Sequence, residues 1–91
     1  MKESKIQSMI IRHLESKGYI VFKTLSMNVN GVPDILACSP NGQFVAIEVK
    51  TPRGSLSKLQ EYWLDQLTFN NAVAFSAYNV EEVARRLKDV K

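Results

Sequence analysis

Asp34, Glu48 and Lys50 are the residues of this chain whose types and spacing best suit chemistry. Each acid belongs to a run that otherwise reads as an apolar strand, Asp34 to Cys38 and Gln43 to Lys50. Side chains two apart on a strand share a face, so Glu48 and Lys50 project together. Pro40-Asn41-Gly42 is a turn signal between the two runs, which makes them an antiparallel hairpin. A hairpin closed there pairs residues whose numbers sum to about 82 or 83, so Asp34 lies across from Glu48 or Val49. Two carboxylates at that distance repel unless a cation sits between them, and one lysine relieves only part of the repulsion. Carboxylate oxygens completed by water are what Mg²⁺ takes, so the pair suits a divalent-metal site. An isolated Glu-Val-Lys tripeptide reads more simply as an exposed cross-strand ion pair, worth about 0–1 kcal/mol. Its register with Pro33-Asp34, inside apolar strands, favours a site instead.

The elements that must position these residues follow from periodicity. Ile6, Met9, Ile10, His13, Leu14 and Lys17 recur at helical steps before Gly18, which predicts a helix from about Glu3 to Lys17. Tyr19 to Thr24 is β-branched and aromatic and reads as a first strand, followed by a polar connection through Asn28, Asn30 and Gly31. In the third strand Phe44, Ala46, Glu48 and Lys50 alternate with Val45, Ile47 and Val49. Ser57 with Gln60 has the form of a capping box, opening a second helix that ends near Asn70-Asn71. Ala72 to Ala77 reads as a fourth strand, and Asn79 with Glu82 offers a second capping box before a last helix. The order is αβββαβα. No linker, repeat or low-complexity tract interrupts it, so residues 1–91 are expected to form one domain.

Two further residues have competing readings. Glu3 suits the first turn of a helix through the helix dipole alone, yet it lies along the buried stripe with Ile6 and Ile10, which points to a functional role. Gln60 is either the capping partner of Ser57 or part of the site. His13 reads as a core or partner-facing residue rather than a ligand, Trp63 and Tyr62 as core or interface, and Arg85-Arg86-Lys88 as the solvated side of the last helix.

Composition bounds the rest. With 45% hydrophobic residues in 91, the chain can bury a core, though with little to spare. The single Cys38 excludes an internal disulfide and multi-cysteine zinc patterns, in keeping with a reducing, cytoplasmic setting. No apolar run approaches the roughly 20 residues of a membrane helix, and MKESKIQ opens a polar helix rather than a signal peptide. The net charge of +3 is compatible with a polyanionic partner but too common to identify one.

Pro33-Asp34 followed by Glu48-Val49-Lys50 resembles the PD-(D/E)XK nuclease signature, and αβββαβ is the core order of that superfamily. Glu3 with Ile6-Gln7, then GVPD, then EVKTPRGSLSKLQEYWLDQL, is similar to the VRR-NUC family across nearly the whole chain. The resemblance implies an α/β fold, a restriction-endonuclease-like core with an extra C-terminal helix and a central mixed four-stranded sheet. It implies a DNA endonuclease using Mg²⁺, with Mn²⁺ as a substitute. Asp34 and Glu48 would hold the ion, joined by the Val49 carbonyl and by Glu3 as an outer ligand, while Lys50 and Gln60 complete the catalytic set. Lys23, Arg53 and Lys58 flank this edge of the sheet and are candidates for DNA backbone contacts. A homodimer is implied as well, since small relatives pair their sites to cut two strands. One departure is the loop Ser26 to Gly31, which lacks the basic residue expected ahead of Pro-Asp. The alternative is a DNA-binding module that keeps the fold without catalysis, against which the intact Asp34, Glu48 and Lys50 argue. A purely structural domain would have no DNA affinity.

Overall fold

The computed structural model describes residues 1–91. Its elements are α1 (Glu3–Ser16), β1 (Ile20–Lys23), β2 (Ile35–Cys38), β3 (Phe44–Val49), α2 (Lys58–Phe69), β4 (Val73–Ala77) and α3 (Val80–Leu87). The strands form one sheet in the order β1-β2-β3-β4, antiparallel except for the parallel β3–β4 pair. This is the mixed four-stranded sheet that the sequence resemblance implied, in an α/β fold with three helices.

Turn chemistry sets the local boundaries. Gly18, at φ 88°, ends α1 with its N–H on Glu15 O and the Tyr19 N–H on Leu14 O. These two bonds satisfy carbonyls that the helix end would otherwise leave orphaned. Lys17 is thus a C-cap rather than the last helical residue. At α2 the expected capping box is present: Gln60 N–H donates to Ser57 Oγ and Ser57 N–H to Gln60 Oε1. The second box forms only in half. Asn79 Oδ1 accepts from Glu82 N–H, but Glu82 Oε1 accepts from Tyr78 N–H, one residue before the cap.

The two faces of the sheet have different partners. Val21, Ile35, Ala37, Val45, Ile47, Val49, Phe75 and Ala77 face α1 and α3, and with Ile6, Ile10, Leu14, Val83 and Leu87 they make the main core. Each buried Val, Ile or Leu contributes on the order of 1.5–3 kcal/mol of transfer free energy. On the opposite face α2 runs across β3 and β4, burying Leu64. Since β3 is covered on both faces, every residue from Val45 to Val49 is buried, Glu48 included.

The hairpin register is Ile35↔Ile47 and Leu36↔Ala46, so the next pair outward is Asp34 with Glu48. Ahead of it, Thr24 N–H donates to Asp34 O at 2.9 Å and Thr24 Oγ1 to Pro33 O at 2.8 Å, fixing the chain as it enters β2. Gly31 closes the preceding loop at φ 82°, and a Cβ there would lie 2.7 Å from Leu59 Cγ on α2. Both the left-handed backbone and the contact exclude a side chain. Gly31→Ala is therefore expected to destabilise the fold by about 2 kcal/mol or more in urea unfolding; an unchanged midpoint would show that the loop does not depend on this approach.

Candidate metal centre

The centre is built on one row of the sheet, at the C-terminal end of β3. Glu48 is only 2% exposed and comes from the central strand. Asp34, at the entry to β2, is half-buried, and its Oδ2 accepts the Val49 N–H at 2.9 Å. This bond to the backbone of the neighbouring strand holds the Asp34 carboxylate at the end of the pair. Lys50 Nζ lies 3.8 Å from Glu48 Oε2. Gln60 Nε2 donates to the same oxygen at 3.2 Å, while Gln60 Oε1 caps α2 through Ser57. One side chain thus both caps α2 and reaches the Glu48 carboxylate.

Glu48 Oε1 has no hydrogen-bond partner although it is fully buried. A buried polar atom left unpaired costs about 1–3 kcal/mol, more when charged. Burial pushes the Glu48 carboxyl up to about 8, helped by the neighbouring Asp34 carboxylate. Lys50 acts in the opposite direction, and Glu3 adds the weakest upward push. Glu3 is half-buried in the first turn of α1, and no third carboxylate, histidine or cysteine joins Asp34 and Glu48 in a ligand cluster. Two carboxylates with an orphaned buried oxygen between them nevertheless fit a hard divalent cation, which often takes one or two protein carboxylates and keeps several waters.

The remaining residues divide by location. Lys58 opens α2 and Arg53 lies in the loop after Lys50; both are exposed and without an ion pair. Lys23 pairs with Ile35, so by strand alternation it belongs to the row facing α1 and not to the row of the acids. His13 lines a groove of about 460 Å³ with Lys17, Tyr19 and Leu87. That groove also takes in Pro40 of the β2–β3 turn, so it lies at the opposite end of the sheet from Glu48. Asp34 instead borders an open hollow of about 370 Å³ formed with Thr24, Asn30 and Gly31. Trp63 is half-buried and donates its indole N–H to Asn30 O at 2.8 Å, so it anchors the loop ahead of Pro33. Arg86 is not merely solvated, since its guanidinium stacks 4.4 Å from the Phe75 ring centre. One residue gained weight with the structure: Gln7 is buried on α1, one turn beyond Glu3. Its sequence signals were an amide on a stripe of Ile6, Ile10 and Leu14 and its place beside Ile6 in the family resemblance.

The VRR-NUC domain family model matches residues 2–81. The chain belongs to the VRR-NUC family. Two solved structures described as VRR-NUC domains share the fold. One superposes with a TM-score of 0.84 at 21% identity, covering 98% of this chain and 97% of its own. The other gives 0.76 at 14% identity, covering 97% and 86%. The p44 protein of Acyrthosiphon pisum secondary endosymbiont phage 1, named for a suspected nuclease activity, is 33% identical over 52 residues. That match spans 57% of this chain and 56% of p44. Family membership supports a nuclease domain. No helix of this VRR-NUC chain is long and apolar enough to cross a membrane.

The buried acid makes the metal-free VRR-NUC fold sensitive to pH. The Glu48 carboxyl is raised from 4.5 to about 8, so folding favours its neutral form. Its contribution is fully present below the unfolded value and is lost as pH rises towards 8. Melting in EDTA is expected to fall by several degrees between pH 5 and 8, as about 1 kcal/mol moves a domain of this size by roughly 4–8 °C. Glu48→Gln, which cannot ionise, should flatten that slope; an equal slope in both proteins would assign the pH dependence to other groups.

Proposed function

We propose that this VRR-NUC chain is a divalent-metal-dependent DNA endonuclease, with Mg²⁺ as its ion and Mn²⁺ as a substitute. The observation that carries the reading is the orphaned Glu48 Oε1 beside Asp34, with Lys50 on the other oxygen of the same carboxylate. Asp34 and Glu48 would hold the ion, the Val49 carbonyl would supply a further oxygen, and Glu3 would act from outside. When bound, the ion supplies Lewis acidity towards a phosphate oxygen and lowers the pKa of a coordinated water.

The protein groups have separate tasks in this reading. Asp34 is held by the Val49 N–H and Glu48 by Gln60, so both carboxylates meet the substrate already oriented. Lys50 stands beside Glu48, where an ammonium can orient the attacking water or stabilise charge developing on the phosphate. Arg53 and Lys58 are exposed near this end of the sheet and would contact the DNA backbone, with Lys23 reaching it from the edge strand. All 91 residues act as one nuclease unit. The activity is structure-selective cleavage of branched DNA or nicking of plain duplex, and a two-fold homodimer supplies the second active site for paired cuts.

Labelled linear and branched DNAs test the chemistry directly. Cleavage is expected with Mg²⁺ or Mn²⁺, and Ca²⁺ should support binding without turnover because its looser geometry acidifies water less. Equal cutting in EDTA would sink the metal assignment. Asp34→Ala and Glu48→Ala should each abolish cleavage while DNA binding is kept or tightened, since each removes negative charge near phosphate. Lys50→Ala should slow single-turnover cleavage by about 10²–10³ with Mn²⁺ affinity largely kept; wild-type rates in that variant would remove Lys50 from the mechanism.

A further inference from the structure

The loop between β1 and β2 borders the acid pair, and no residue from Thr24 to Val32 carries a charge. The Thr24 N–H on Asp34 O places this loop at the end of the sheet where Asp34 and Glu48 lie. Its backbone is tied down at three points: Thr24 Oγ1 donates to Pro33 O, the Trp63 indole donates to Asn30 O, and Gly31 lies against Leu59. Its apolar side chains are nevertheless in water, Leu25 at 84% exposure, Met27 at 45% and Val29 at 40%. All three line the open hollow of about 370 Å³ that Asp34 borders, whose walls are otherwise chiefly polar.

A single exposed leucine is ordinary on a protein surface. Three apolar side chains on an anchored, uncharged loop put a dry surface beside two acids, where DNA would approach them. Phosphates are met by cations and hydrogen-bond donors, whereas leucine and methionine side chains make favourable contact with the faces of bases. In duplex DNA those faces are covered by stacking, so such a surface gains contact only where a base has left the stack. The hollow suits that base. Ser26, Asn30 and the loop backbone offer donors and acceptors to a base edge, and the volume falls within the roughly 300–1,000 Å³ of small-ligand pockets. Without lysine or arginine the loop adds little to general affinity for duplex.

We propose that the Thr24–Val32 loop reads DNA structure: its hollow takes an unpaired nucleobase next to the cleaved phosphate, with Leu25 and Met27 against the face of the base. The proposal rests on the nuclease reading above and chooses within it, since DNA with an unstacked base near the cut is then preferred over plain duplex. Asp34 belongs both to the hollow and to the acid pair. A base lodged in the hollow therefore sets which phosphate stands over Asp34 and Glu48.

A duplex carrying one unpaired 2-aminopurine and its fully paired counterpart test this, by titration in Ca²⁺ and by single-turnover cleavage in Mn²⁺, with circular dichroism as the check on folding. Wild type should bind and cut the DNA with the unpaired base at least about tenfold better, as burial of a leucine against a base predicts. Leu25→Ser combined with Met27→Ser should fold, lose that preference and keep its affinity for paired duplex within about twofold, since neither side chain meets phosphate. Leu25→Lys should bind both DNAs more tightly through phosphate and still lose the preference. The wild-type fluorescence needs no substitution: 2-aminopurine emission should change on binding, and emission unchanged from free DNA would overturn the hollow as the base's site. A wild type that neither binds nor cuts either DNA overturns the nuclease reading and this proposal with it. Wild-type binding or cleavage without the preference overturns the loop assignment alone, as do variants that keep the preference or lose both DNAs equally. A change of mass in sedimentation of the variants would overturn it too, by assigning Leu25 and Met27 to contact between chains.

Discussion

Placing Glu48 in the central strand imposes the constraint around which this end of the molecule is arranged. The strand is buried on both faces, so the carboxyl loses its water on the way in. Desolvating a charge costs far more than desolvating a neutral acid, and the acid responds by holding its proton to about pH 8. One oxygen is offset by Lys50 and Gln60; the other is left without a partner. An arrangement that stabilised only the protein would have satisfied both, or would have used a leucine. An uncompensated cost at one atom beside a second carboxylate makes sense if an external cation completes the group.

The groups that answer this constraint are drawn from separate elements, which is what gives the site its rigidity. Asp34 enters on β2 and is fixed to the backbone of β3. Gln60 enters on α2, where the same side chain caps the helix and holds Glu48, so the start of the helix and the orientation of the acid are coupled. α2 also secures the loop before Asp34, through the Trp63 indole on Asn30 and the close approach of Leu59 to Gly31. The loop without a basic residue thus has a structural task that its composition does not advertise.

The same helix leaves the sheet asymmetric. By lying over β3 and β4 it encloses the acids on one side and leaves the hairpin edge of that face open. A chain of 91 residues has few side chains with which to cover two sheet faces completely. The apolar rows on β1 and β2 are where that shortage falls, one row away from the acids.

Much of the site was legible without coordinates because its signals are local. A turn at Pro40 to Gly42 fixes the hairpin register, strand alternation places Glu48 with Lys50, and together they bring Asp34 opposite Glu48. The Ser57–Gln60 box likewise marks the start of α2 within a single turn of helix. Tertiary structure decided which of these groups is buried, because burial depends on what crosses a strand rather than on the strand's own sequence. Alternation alone would leave Glu48 on a half-open face. The β3–α2–β4 crossover closes that face over Glu48, raises its proton affinity, brings Gln60 to it and leaves Ile20 and Phe22 bare. Lys23 shows the converse: its sequence position beside the site says nothing of the face it takes, which the pairing with Ile35 assigns to the α1 side. Periodicity of two residues is written in the chain, whereas the layer that meets each face is contributed by residues far away along it.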